Sequence, residues 1–243
     1  MSVESKTVAS LKGQLSKFSG IISKTFSKPK KRLMKEMLYG IQASKDVKLS
    51  NISRTLKEDQ ALIKTEDRLS RNLDDEDFTD PINEEICRLG ASKVTDDMVI
   101  AIDPGDIRKK YAKKMEFLGK VRDGSEHEIG NGYPLCKAVA TDIESKKVIP
   151  LYCEAYSFLS EDVKSENTQL LKMIDLLFEH LEGRGIHAID RGGDRGVLYK
   201  KYLGEKKAKR FVIRLVDRDL IHQGRRRNCC DMAKVLPTPY ETV

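Results

Sequence analysis

No apolar run in this 243-residue chain approaches the roughly 20 residues that a membrane-spanning helix needs. The N-terminus lacks the apolar core of a secretory signal. Cysteine is sparse and odd in number, at 87, 136, 153, 229 and 230. No pair has the spacing of a zinc site, and the adjacent pair Cys229-Cys230 cannot supply one alone. These absences lead us to expect reduced thiols in a cytoplasmic protein. Gly192-Gly193 with Gly196 lacks both the Gly-Lys-Ser/Thr ending of a phosphate loop and the glycine spacing of a dinucleotide site.

Charge, by contrast, is plentiful. Charged residues make up 34% of the chain against 39% hydrophobic, with a net charge of +7. The excess lies at the front, where residues 1–72 hold 16 Lys/Arg against 7 Asp/Glu. A basic front segment fits a polyanion, most often nucleic acid, and equally fits a solvated basic surface. Residues 1–28, rich in Ser and Lys, read as a flexible N-terminal segment with one loose helix. Residues 29–73 read as a helical DNA-binding domain of three short helices, with Leu33, Met37, Leu38 and Ile41 marking the first apolar face. On the third, Lys64, Arg68 and Arg71 recur at i, i+4 and i+7 as a basic stripe. Three short helices with a basic last one resemble a helix-turn-helix module. Asp74, Asp75, Glu76, Asp77 and Asp80, then Pro81, mark 74–92 as an acidic linker.

From 93 to 243 the pattern changes. Met98–Asp103 reads as a strand, followed by a basic loop to about Gly132. Leu135–Asp142 and Val148–Tyr156 read as two more strands. A helix follows from Ser165 to Glu182, where Leu170, Ile174, Leu177, Phe178 and Leu181 share a face. A strand then ends at Asp190, a helix covers about Gly193–Leu203, and a last strand covers Arg210–Leu215. A three-strand meander followed by helix, strand, helix, strand is an α/β arrangement. It matches the layout of a ribonuclease-H-like mixed sheet preceded by a small all-α helical domain. The opening hairpin argues against a doubly wound nucleotide-binding fold.

In that layout Asp103 and Asp190 end neighbouring strands, although each also fits a plain turn before Pro-Gly or Gly-Gly. Asp106 competes with Asp103 for the first position. Paired carboxylates at strand ends suit Mg²⁺ (or Mn²⁺). The connection after Asp103 carries Arg108, Lys109, Lys110, Lys113, Lys114, Lys120 and Arg122, which fit an ordinary solvated loop or, given their position beside such a site, phosphate contacts. Arg191 and Arg195 flank the second acid and fit either phosphates or acids. Tyr111 and Phe117 fit base stacking or, better, core packing. His187 reads as buried structure, and Asp194 as a helix cap or a supporting group.

The runs Asp103-Pro-Gly-Asp-Ile-Arg-Lys-Lys-Tyr-Ala-Lys-Lys-Met-Glu, Lys-Val-Arg-Asp-Gly-Ser (120–125) and Ile-Asp-Arg-Gly-Gly-Asp-Arg-Gly (189–196) resemble DDE transposases of bacterial insertion sequences, in the insertion-sequence-four-like group. The resemblance covers about residue 30 to the end. It implies Mg²⁺-dependent cutting of transposon ends in double-stranded DNA, strand transfer into target DNA, and a homodimer on DNA. It also implies that Asp103 and Asp190 are the first two catalytic, metal-binding acids of a two-metal site. The family's third acid is a helical glutamate beyond the last strand. Glu241, in a Pro-bounded stretch, does not match it. The expectation is therefore a C-terminally truncated transposase, binding DNA and cutting poorly if at all. The alternative is a non-catalytic DNA-binding regulator or inhibitor derived from a transposase.

Overall fold

The computed structural model describes residues 3–75, 77–122, 128–142, 144–204 and 210–235. It is an α/β protein with eight α-helices among the described residues and one mixed sheet of parallel and antiparallel strands. The chain divides into two compact units, Met1–Leu89 and Gly90–Val243. Among the described residues no helix is long and apolar enough to cross a membrane.

The first unit is all helical: α1 (Val3–Ile22), α2 (Lys28–Ser44), α3 (Leu49–Leu56), α4 (Leu62–Asp74) and α5 (Thr79–Ala91). Helix α2 starts at a proline-compatible first turn, with Pro29 there. It is apolar on two adjacent stripes. Leu33, Met37 and Ile41 join Ile52 and Leu69 in one cluster, while Met34 and Leu38 join Ile22, Phe26, Phe78 and Ile82 in another. Gly40 lets α2 approach α3 closely, since a Cβ there would lie 2.3 Å from Ile52 Cγ2. One expectation is met and one changes. The helix expected within residues 1–28 is the 20-residue α1, with Ile22 buried at its end and Phe26 buried just past it. The expected acidic linker 74–92 carries α5 instead. Its acids support a helix start: Asp77 Oδ1 accepts from Thr79 N–H at 2.8 Å, and Asp80 sits in the first turn, where the helix dipole favours it.

The second unit is built on a 13-residue strand. Its strands are β1 (Val99–Ile102), β2 (Gly105–Arg108), β3 (Gly119–Arg122), β4 (Ile129–Thr141), β5 (Val148–Ala155), β6 (Ile186–Ile189), β7 (Arg210–Ile213), β8 (Asp219–His222) and β9 (Arg225–Asn228). Helices α6 (Glu166–Leu181), α7 (Gly196–Gly204) and α8 (Cys229–Val235) and a 3-10 turn (Arg191–Gly193) complete it. Following the pairings from one edge gives β5, β4, β1, β6, β7. The β5–β4 and β4–β1 pairs are antiparallel; β1–β6 and β6–β7 are parallel. Ile100, Ile102, His187 and Ile189 point to one face and are buried there. Helix α6 packs on that sheet through Leu170, Met173, Ile174, Leu177 and Leu181, with Met173 Sδ 3.6 Å from Cys136 Sγ of β4. Helix α7 follows with Tyr202, whose hydroxyl lies 2.9 Å from His187 Nδ1 and whose ring stacks on Phe211.

The basic loop expected between Asp103 and Gly132 is in part sheet. Strands β2 and β3 both pair with an early extension of β4. These four-residue strands are rich in Gly and charge, so they show no apolar alternation. The hairpin of β8 and β9 was not expected at all, and it pairs with no other strand among the described residues.

Candidate metal centre and nucleic-acid interface

Strands β1 and β6 run parallel with Ile102 opposite Ile189. Asp103 and Asp190 are each the next residue. Neighbouring strands lie roughly 4.8 Å apart, and residues at matched positions share a face. Ile102 and Ile189 face the core, so the pleat aims positions 103 and 190 to the other side. Both acids are exposed. Asp190 keeps extended backbone, and its Oδ1 accepts from Gly192 N–H at 2.8 Å, which starts the 3-10 turn. Gly193 must be glycine there, because a Cβ would lie 2.4 Å from Ile189 Cγ2. Asp103 N–H donates to Lys137 O, and the carboxylate pairs with Lys137 Nζ at 3.1 Å. Lys137, Asp103 and Asp190 therefore line up across β4, β1 and β6. Sequence reading missed Lys137. Its signal was the alternation of buried Cys136, Ala138 and Ala140, which sends 137 to the other face.

Asp106 lies elsewhere. On β2 it pairs in register with Pro134 of β4, three positions past Asp103 and roughly 10 Å along the sheet. It lines an open cleft of about 330 Å³ with Lys120, Arg122, Tyr156, Phe158 and Glu166. The Asp194 side chain is fully buried. Its carboxylate accepts from Tyr199 OH and Val216 N–H and pairs with Arg218. It holds the 216–218 segment in place.

The expected phosphate-binding cations divide into two groups. Lys64 and Arg71 are exposed, but Arg68 turns inward, with one guanidinium nitrogen 2.7 Å from Glu36 and another 3.0 Å from Glu58. Arg195 is spent on Gly192 O, Asn167 and Glu166 at 2.6 to 2.9 Å. Arg108 pairs with Glu128 at 2.6 Å, and Lys120 donates to Asn131 Oδ1. These contacts correct the expectation for Arg68 and Arg108, whose charges are matched within the protein, and for Arg195 they match the acid-pairing alternative. Lys110, Lys113, Lys114, Arg122 and Arg191 are exposed, and Lys109 is half-buried. The first three lie on the loop from β2 to β3. That loop is anchored by Lys109 N–H to Asn131 O, Asn131 Nδ2 to Ala112 O and Tyr133 OH to Glu116 O. Tyr111 (88% exposed) and Phe117 (47%) stand on the same loop, so the core-packing expectation is corrected. Exposed rings among lysines suit base stacking beside phosphate contacts.

Two carboxylates on adjacent strands fit the way Mg²⁺ is held, by one or two carboxylates plus water. Among the described residues, the three metal-ligating side chains whose donor atoms converge are Asp217, Cys229 and Cys230, and no third such side chain joins Asp103 and Asp190. Glu241 lies outside the described residues. No family model and no curated protein matches this chain.

Proposed function

We propose that the protein is a DDE-type DNA transposase. Its second unit is then a ribonuclease-H-like catalytic domain, and its first unit a DNA-binding domain. The observation that carries the proposal is the in-register parallel pairing of β1 with β6, which sets Asp103 and Asp190 side by side. The strand order, an antiparallel meander continued by two parallel strands through helical crossovers, supports the same reading. Asp103 and Asp190 would hold Mg²⁺ (or Mn²⁺), which when bound polarises a phosphodiester and activates water or a 3′ hydroxyl. The rest falls to the chain. Gly192 N–H fixes the Asp190 carboxylate, and Lys137 holds Asp103 and balances its charge. The loop 109–118 offers lysines to phosphates and two rings to bases.

A second reading, a DNA-binding regulator derived from a transposase, is favoured by one observation. No third ligating side chain joins the two aspartates among the described residues. The two readings part on metal chemistry. The test is incubation of the full chain with duplexes carrying the DNA that borders its own coding region, with Mg²⁺ or Mn²⁺. A transposase nicks at one terminal sequence, and Asp190→Asn or Asp103→Asn abolishes nicking while binding persists. Salt-sensitive binding without nicking selects the regulator. Cutting that is indifferent to both substitutions, or to terminal sequence, overturns the transposase reading.

A further inference from the structure

The two-stranded sheet of β8 and β9 stands apart from the main sheet, and an isolated hairpin of this size is marginal in water. Its two ends close on each other. Cys229 N–H donates to Arg218 O at 2.9 Å, and Asn228 Nδ2 donates to Asp217 Oδ1 at 2.7 Å. At this junction the ligand atoms of Asp217, Cys229 and Cys230 all lie within 4.8 Å of one another. Arg218 N–H approaches Cys229 Sγ at 3.5 Å, and Cys230 Sγ lies 3.9 Å from Asp217 Oδ1. Cys229 is buried while Asp217 and Cys230 are exposed, so the cluster has a closed side and a side open to solvent.

We propose that this junction binds a thiophilic divalent cation of the Zn²⁺ class, held by the Cys229 and Cys230 sulfurs and the Asp217 carboxylate, with water in the fourth position. A tetrahedral zinc with metal–sulfur bonds of about 2.3 Å sets its two sulfurs about 3.8 Å apart, inside the 4.8 Å that bounds the three ligand atoms here. Two thiol protons leave as the two metal–sulfur bonds form, and nothing is oxidised or reduced. Sulfur donors select against Mg²⁺, so the site is chemically separate from the aspartate pair. The sequence alone offered an adjacent cysteine pair with no third ligand; the hairpin brings Asp217 to it. The bound ion clips residue 217 to residues 229 and 230 and so closes the hairpin at its base. The proposal uses neither Asp103 nor Asp190 and stands or falls apart from the proposed activity.

The test is Co²⁺ titration of the full chain under a phosphine reductant, followed by displacement with Zn²⁺. The expected result is one equivalent of Co²⁺ with a thiolate-to-cobalt charge-transfer band that Zn²⁺ removes and excess Mg²⁺ does not. Cys229→Ser and Cys230→Ser lose the band, the near-isosteric Asp217→Asn weakens binding by at least about tenfold, and Cys153→Ser changes nothing. A second readout needs no variant. Saturating Zn²⁺ slows tryptic cleavage after Arg225, Arg226 and Arg227 by at least about tenfold, because the ion binds only the closed hairpin. Absence of the band, its survival in both cysteine variants, its loss in Cys153→Ser, or cleavage indifferent to Zn²⁺ overturns the proposal.

Discussion

Arg68 separates two accounts of the first unit, and replacing it with alanine is the sharpest test of which account holds. On the sequence stripe it is a phosphate ligand; in the structure it ties three segments together. Its guanidinium joins Glu36 of α2 at 2.7 Å and Glu58, just past α3, at 3.0 Å. Glu58 also accepts from buried Thr65 and from Gln60, both at 2.7 Å. Each bond from Arg68 is charge-assisted and half-buried, worth roughly 1.5–3 kcal/mol. Arg32, more exposed, also pairs with both glutamates and would remain to them in the variant. The net loss for Arg68→Ala is therefore roughly 2–4 kcal/mol, below the simple sum. For a unit of this size the melting temperature falls by roughly 4–8 °C per kcal/mol. Thermal and urea unfolding of the full chain, followed by far-ultraviolet circular dichroism, reads this directly. The pH dependence adds a second signature. The hydrogen bond from Thr65, with those from Gln60 and Arg68, holds the Glu58 carboxyl at about 2. Because this folded value lies below the unfolded one, the stabilisation is complete above the ordinary carboxylate range and disappears as pH falls from there towards 2. Arg68→Ala should flatten that acid limb. A stability change under about 0.5 kcal/mol, together with a DNA salt dependence shallower by one phosphate contact, would refute the structural account and restore the phosphate role.

Replacing Lys110, Lys113 and Lys114 together with alanine should weaken duplex binding and flatten its salt dependence by roughly 0.9 per lysine, read by anisotropy titrations at several salt concentrations, with the melting temperature unchanged. Under chelator and reductant, Cys153 and Cys230 should alkylate first in mass-mapped time courses. Cys136 should resist until the chain unfolds, since burial pushes its thiol up to about 12. Gly193→Ala should cost roughly 1–3 kcal/mol through the overlap with Ile189, measured by urea unfolding, and should loosen the turn that Asp190 caps.

The elements most legible in the sequence are those whose burial follows a single period. Helix α6 is found within one residue at each end, because its apolar residues keep one face and Ser165 caps its start. Strands β1, β5 and β6 are short apolar runs and are equally plain. Sequence failed where the local signal served two purposes. The acids at 77 and 80 read as a repulsive linker, yet acids also favour a helix N-terminus, and α5 follows. The residues of β8 and β9 are mostly polar, so periodicity hides them. Their sign is instead the two-residue turn Gln223-Gly224, both with positive φ, which suits a tight hairpin. A helical stripe of three cations gives spacing but not neighbours, and Glu36 and Glu58 come to Arg68 from other segments.

The placement of the two aspartates follows from the same constraint that builds the core. Side chains alternate across a strand, so a one-residue slip of β6 along β1 would turn Asp190 to the opposite face from Asp103. The same slip would withdraw His187 and Ile189 from the helices that cover them and bury Ala188 in their place. His187 would lose the Tyr202 hydroxyl, its buried partner. Register is therefore fixed by the buried side, and the carboxylates on the exposed side inherit it. This is also why Asp103 rather than Asp106 neighbours Asp190. Strand β6 ends at Ile189, level with Ile102, whereas Asp106 lies further along the sheet on β2, which pairs with β4. Sequence spacing leaves the two acids nearly equivalent, and the pairing of two buried strands separates them.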